Sequence, residues 1–191
     1  VARSRGFDTD AAVEQAMDLF WKQGYRATPM PRLTELLGIG SGSLYAAFGS
    51  KDGLYAQALR RYCEGLVAAL DRDVRAGDDI RTALRRLLLA MVTADAADPE
   101  RGCLLVNAIV ERAAHDGTVQ QVRTAMTAIE AVLAEALERA RVRGELSGER
   151  SPVEVARFLT TFIQGLHVMS QARADRAFLE PAVAVALRVL D

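Results

Sequence analysis

Cysteine is scarce in this chain: Cys63 and Cys103 are the two thiols in 191 residues. Two isolated cysteines make neither a disulfide framework nor a metal-ligand spacing, so the expectation is a cytoplasmic protein with no metal site. Histidine is equally sparse, with His115 and His167 far apart in the chain. No Gly-rich phosphate loop followed by Lys-Ser/Thr, no His-Glu-x-x-His, no Cys-x-x-Cys and no Gly-x-Ser-x-Gly elbow occurs, so neither an enzyme nor a cofactor is expected. No apolar run reaches the roughly 18 residues that a membrane span needs, and the N-terminal stretch lacks the apolar core of a secretory signal. Aromatics make up 6% of the chain, and its five prolines fall mostly at segment ends. Hydrophobic residues make up half of it, and Ala, Leu, Val and Arg are abundant. A disordered chain is thereby excluded, and an all-α fold favoured.

The formal net charge of −1 says little, but its distribution says more. Residues 1–62 carry eight Lys/Arg against six Asp/Glu, a net of +2, which leaves −3 for the remainder. The positive end also holds the most structured motif. Pro31-Arg32-Leu33-Thr34-Glu35-Leu36-Leu37 reads as a short helix with Pro31 at its first position, where a missing N–H costs nothing. Gly38-Ile39-Gly40 is a sharp turn. A second short helix follows, with Ser41 as its N-cap, through Gly42-Ser43-Leu44-Tyr45-Ala46-Ala47-Phe48. Two short helices joined by a glycine turn form a helix-turn-helix pattern over about 31–48. Leu44 and Phe48, four apart, are its buried stripe. The small hydroxyl residues of the first turn let the helix end approach a phosphate or a base edge, and Tyr45 carries a hydroxyl that reaches a phosphate.

Around this motif stand Phe20…Gly24-Tyr25-Arg26-Ala27-Thr28 and Phe48-Gly49-Ser50-Lys51-Asp52-Gly53-Leu54. In that order and at those distances, the first sixty residues or so resemble the TetR family of one-component transcriptional regulators. The resemblance implies a three-helix DNA-binding head over about 1–50. A long fourth helix then joins it to a regulatory and dimerisation body over about 51–191. It also implies phosphate contacts from Thr28, Tyr45 and Lys51, and base readout from Ser41, Gly42, Ser43 and Ala46. The chain departs from the common pattern twice: Ala47 stands where His or an aromatic is frequent, and Arg32 where an acidic residue is common. Arg32 thereby joins the candidate DNA contacts. Arg3 and Arg5 form a short basic arm before the first helix.

Apolar periodicity places the remaining helices. They fall at about Asp10–Gln23, from Ser50 to Ala76, Ile80–Ala96, Cys103–Ala114, Val119–Gly144, from Ser151 to Ala174, and Arg176–Leu190. Ser151-Pro152-Val153-Glu154 has the spacing of a capping box. The last two helices are apolar on more than one face, which predicts a homodimer through about 152–190.

If the body binds a small molecule, as the resemblance implies, the candidates are Tyr62, Leu66, Met91, Met126, Phe158, Phe162, His167 and Met169. Cys103, near a helix start with Arg101 beside it, is a further candidate. The expected function is a DNA-binding regulator, a repressor released from double-stranded operator DNA by a small effector. The alternatives are an electrophile or redox sensor acting through Cys103, a transcriptional activator, or a protein-binding module.

Overall fold

The computed structural model describes residues 7–77, 79–98, 101–146, 150–172 and 174–191. The arm with Arg3 and Arg5, Pro99 and residues 147–148 of the loop before the eighth helix lie outside them. Among the described residues the secondary structure is entirely helical.

Helix α1 (Thr9–Gln23) opens where the Asp8 carboxylate accepts from the N–H groups of Asp10 and Ala11, at 2.9 and 3.1 Å. It buries Val13, Ala16, Leu19 and Phe20. Helix α2 (Met30–Leu37) begins one residue before the expected Pro31, which sits within its first turn. It ends at Gly38 in the left-handed region, φ +62°. Helix α3 (Ser41–Phe48) takes Gly40, not Ser41, as its N-cap, and no side chain caps it. The hydroxyl of Ser41 is thereby left on the surface. Leu44 and Phe48 are buried, as their spacing predicts, and hold α3 in the core formed with Leu33 and Leu54. Each such burial is worth about 1.5–3 kcal/mol.

Ser50 caps α4 (Lys51–Arg75) by accepting from the Gly53 N–H at 3.0 Å. At 1.5 Å per residue this helix is about 37 Å long, enough to reach from the head along the body. Of its expected stripe, Leu54, Ala58 and Leu70 are buried, whereas Tyr62 and Leu66 are half-buried. The body continues with α5 (Ile80–Ala97), α6 (Leu104–Arg112), α7 (Asp116–Val142), α8 (Pro152–Gln171) and α9 (Arg176–Ala186), closed by a 3₁₀ turn at Leu187–Leu190.

Helix α7 packs on both α4 and α8 and is the spine of the body. It starts earlier than apolar periodicity predicts, because His115 acts as N-cap and its Nδ1 accepts from the Thr118 N–H at 3.1 Å. At α8 the expected capping box does not form: Ser151 occupies the N-cap position, but its hydroxyl makes no cap bond. Helix α9 ends short of Leu190, its last turn tightening into 3₁₀ geometry after an interior Pro181.

Candidate nucleic-acid interface

Anchored by Leu44 and Phe48, α3 turns Ser41, Gly42, Ser43, Tyr45, Ala46 and Ala47 to solvent. The side chains at its N-terminal end are small and carry hydroxyls, so a nucleic-acid backbone can come close to the free amides of the first turn. No acidic side chain stands in that turn to oppose an anion. Tyr45 is half exposed and lines a shallow hollow with Met30, Thr34, Ile39 and Ser41, between α2 and α3. The neutral, hydroxyl-bearing face and the exposed phenol are therefore contiguous.

Three of the expected contacts lie outside α3. Thr28 is fully buried, and its hydroxyl donates to the Gly24 carbonyl at 2.7 Å, so it closes the loop after α1 and offers no hydroxyl to a phosphate. Arg32 is exposed but pairs with Glu35 one turn on, at 2.9 Å. Lys51 is half-buried with its Nζ 4.1 Å from the centre of the Tyr25 ring. Burial lowers the pKa of its ammonium from the ordinary lysine value.

The expected effector residues do not converge. Tyr62 and Leu66 line a groove between α1 and α4 together with Met17 and Trp21. Met126 lines another between α7 and α8 with Thr160 and Arg157. Phe162 stacks with Phe158, whose ring lies on the outer face of α8, as does Met169. Met91 is half-buried on α5. His167 has a partner that the sequence does not announce: Asp95 on α5, 2.8 Å from Nδ1, in the interior.

Cys103 is 1% exposed and accepts a hydrogen bond from the Tyr62 hydroxyl at 3.6 Å. Burial raises the pKa of this thiol, and that of the phenol too. Arg101, the cation expected to activate the thiol, instead lies over the Trp21 ring at 3.7 Å and pairs with Asp18 at 2.6 Å. Activation of Cys103 by Arg101 is therefore missing, and burial outweighs the lowering by the amide N–H groups of Val106 and Leu105 at the start of α6.

A groove of about 810 Å³ between α4 and α7 went unpredicted. Its floor is Cys63, Val67, Ala125 and Val132, and polar side chains such as Arg60, Glu64 and Gln120 rim it. The sequence signal was present as Ala125, Ala128 and Val132, small or apolar residues at helical spacing on α7. Among the described residues no cluster of three or more His, Cys, Asp or Glu could hold a metal ion, and no helix is long and apolar enough to cross a membrane.

Residues 12–58 match the family described as bacterial regulatory proteins, tetR family, and residues 80–186 match the tetracyclin repressor-like, C-terminal domain. The HTH-type transcriptional regulator YezE of Bacillus subtilis (strain 168) is 31% identical, with all of both chains covered. The HTH-type transcriptional repressor ComR of Escherichia coli (strain K12) is 29% identical over 99% of this chain and 93% of its own. A cysteine mutant of the TetR family regulator CifR, solved in complex with 26-bp double-strand operator DNA, superposes with a TM-score of 0.85 at 31% identity, covering both chains fully. Given these matches and the exposed face of α3, the chain belongs to the TetR family and is a DNA-binding transcriptional regulator, not an enzyme.

Proposed function

We propose that this protein is a cytoplasmic homodimeric repressor whose two heads, each about residues 1–50, grip a palindromic operator. A small effector held by the body, about 51–191, releases them. The observation that carries the reading is the α3 face, where Ser41, Gly42, Ser43, Tyr45 and Ala46 are exposed over a buried Leu44–Phe48 anchor. Ser41, Gly42, Ser43 and Ala46 are small enough to sit against base edges, and Ala46 suits a thymine methyl. Tyr45 supplies a phosphate contact that positions the head. The names of relatives such as ComR favour repression over activation.

For the effector we favour the groove between α4 and α7. Its volume is in the range of small-molecule sites, and its apolar floor with a polar rim suits a largely hydrophobic molecule. One wall is α4, the helix that carries the head. A ligand that binds better to one spacing of α4 and α7 shifts the head by as much as that preference allows.

The test is binding to DNA from immediately upstream of its own gene, at two salt concentrations, with an unrelated duplex and Tyr45→Ala as controls. The expected result is selective binding that weakens steeply with salt, as phosphate neutralisation requires. Tyr45→Ala should weaken it by roughly 3–10-fold, the worth of one hydrogen bond. Salt-insensitive binding, or equal affinity for both duplexes together with no selection from a random-sequence library, would reject the reading.

A further inference from the structure

A second connection between head and body exists besides α4. It is made at the loop that follows α1. The backbone N–H groups of Tyr25 and Arg26 both donate to the carboxylate of Glu111, at 2.7 and 2.6 Å. Glu111 belongs to the last turn of α6, more than eighty residues away in sequence. Arg26 returns the contact, its Nη2 donating to the Glu111 carbonyl at 3.3 Å. Gly24 makes the approach feasible: its φ is +78°, and a Cβ there would stand 3.0 Å from Glu111 Oε2.

Arg112, the next residue, forms the other half. Its guanidinium lies 3.7 Å from the centre of the Tyr25 ring, and its Nη2 donates to Asp52 in the first turn of α4 at 2.5 Å. Asp52 also accepts from the Tyr25 hydroxyl at 2.9 Å. The Arg112 Nε donates to Thr118 Oγ1 in α7 at 3.1 Å. The Arg112 side chain is only 6% exposed, so its bond to Thr118 is shielded from water, whereas the Asp52 side chain, 51% exposed, stays open to solvent. Tyr25 is thus tied to the start of α4 by its hydroxyl and to the end of α6 by its backbone and ring.

We infer that Glu111 and Arg112 are positioning residues for DNA binding, a latch through which the α6–α7 corner of the body sets the orientation of the head. The geometry leaves the loop little freedom to stay behind when α6 moves. Two bonds to one carboxylate define a direction as well as a distance. The loop they hold leads through Thr28, itself buried, into α2 and so to α3. A displacement of α6 or of the α7 start therefore pulls on the helix-turn-helix independently of any tilt of α4. The regulatory consequence rests on the operator-binding reading above; the mechanical link does not. Coupling of this kind is reciprocal, so DNA on the head must alter the stability of the α6–α7 corner.

The test uses the full chain and three proteins: wild type, Glu111→Leu and Glu111→Gln. Leucine fills similar space but accepts no hydrogen bond, whereas glutamine keeps one acceptor oxygen. A duplex selected from a random-sequence library serves as the operator probe. Hydrogen exchange is followed at the amides of α3 and of residues 108–118. In wild type the duplex should slow exchange in α3 and change it at 108–118 by at least about fivefold, the lower end of ordinary coupling. In Glu111→Leu the α3 effect should persist while the remote effect falls below about twofold, with Glu111→Gln between.

A second measurement needs no DNA. Spin labels on cysteines introduced at Glu35 and Arg123, both exposed, report the head-to-body distance in labelled chains diluted with unlabelled ones. The distribution should broaden in Glu111→Leu and partly recover in Glu111→Gln. Equal widths in all three proteins, or a remote exchange effect that survives Glu111→Leu, would overturn the latch. If no duplex is selected at all, the DNA-binding reading fails, and the distance measurement still decides the latch.

Discussion

Cys103 shows how neighbours, not local sequence, decide what a side chain can do. Its position before α6, with Arg101 two residues away, has the outward form of an activated thiol. In the folded chain Arg101 is committed to Trp21 and Asp18, and the thiol is enclosed and receives the Tyr62 hydroxyl. Cys63 is similarly buried, which pushes its pKa up to about 12. At that value about one Cys63 in ten thousand is thiolate at pH 8, and the thiolate is the reactive form. Native protein should therefore fail to react with a thiol-specific disulfide reagent at pH 8 over minutes, whereas both thiols should react at once in denaturant. Raising the pH toward 9 multiplies the Cys63 thiolate fraction about tenfold but leaves it at about one in a thousand, so native labelling should quicken with pH and still stay far slower than in denaturant. Rapid labelling of Cys103 in the native state, accompanied by release of DNA, would restore the sensor alternative.

At the scale of the element, the junction between α3 and α4 depends on an absent side chain. Gly53 lies in the first turn of α4, and a Cβ built on it would stand 2.0 Å from the carbonyl oxygen of Phe48, at the end of α3. The clash is with backbone, so no rotamer change relieves it, and α3 itself would have to move. Gly53→Ala should lower stability by about 1–3 kcal/mol, the usual scale for overpacking, and weaken operator binding further by misplacing α3. Thermal unfolding and a binding titration check this; an alanine variant with wild-type affinity and melting temperature would show that the junction yields easily.

The motif residues were legible because a helix-turn-helix is short and its determinants are local. Gly38 at the turn and the Leu44–Phe48 spacing each follow from neighbours within four positions. What the sequence hides is whatever depends on a distant partner. Thr28 carries the right hydroxyl, but Gly24 takes it inward. His167 finds Asp95 across 72 positions, and Glu111 finds the Tyr25 amide across 86. Periodicity says which face of a helix is buried without saying which helix covers it. For this reason the expected effector residues lie on several helix faces and do not meet in one cavity, while the groove between α4 and α7 went unnoticed. Even a local pattern can mislead, as at Ser151, where capping-box spacing is present but the hydroxyl makes no cap bond.

At the scale of the molecule, one surface of the single chain is unlike the rest. The outer faces of α8 and α9 expose Phe158, Val168, Met169, Phe178 and Val185, with Phe178 and Val185 each 59% accessible. Phe158, Thr161, Gly165 and Val168 follow helical spacing along α8, Ala172 continues the line at its C-cap, and all are exposed, so the stripe is continuous, and Gly165 leaves room for close approach of another helix. A contiguous apolar face of this kind marks an interface. A two-fold axis would bring α8 and α9 of two copies together as four helices, each residue meeting the same surface on its partner. That symmetry doubles the effect of any substitution. Val168→Glu with Phe178→Glu places four carboxylates in one apolar interface, where burial without partners is strongly unfavourable. The variant should sediment as a monomer at concentrations where the wild type is a dimer. It should keep its helical circular dichroism, because neither side chain belongs to the intrachain core. Its operator affinity should fall by roughly a hundredfold or more, since the second head no longer binds at the high effective concentration that its partner provides. A monomeric variant with undiminished affinity would mean that one head suffices, and the palindromic operator would have to be abandoned together with the spacing of heads as the quantity an effector controls.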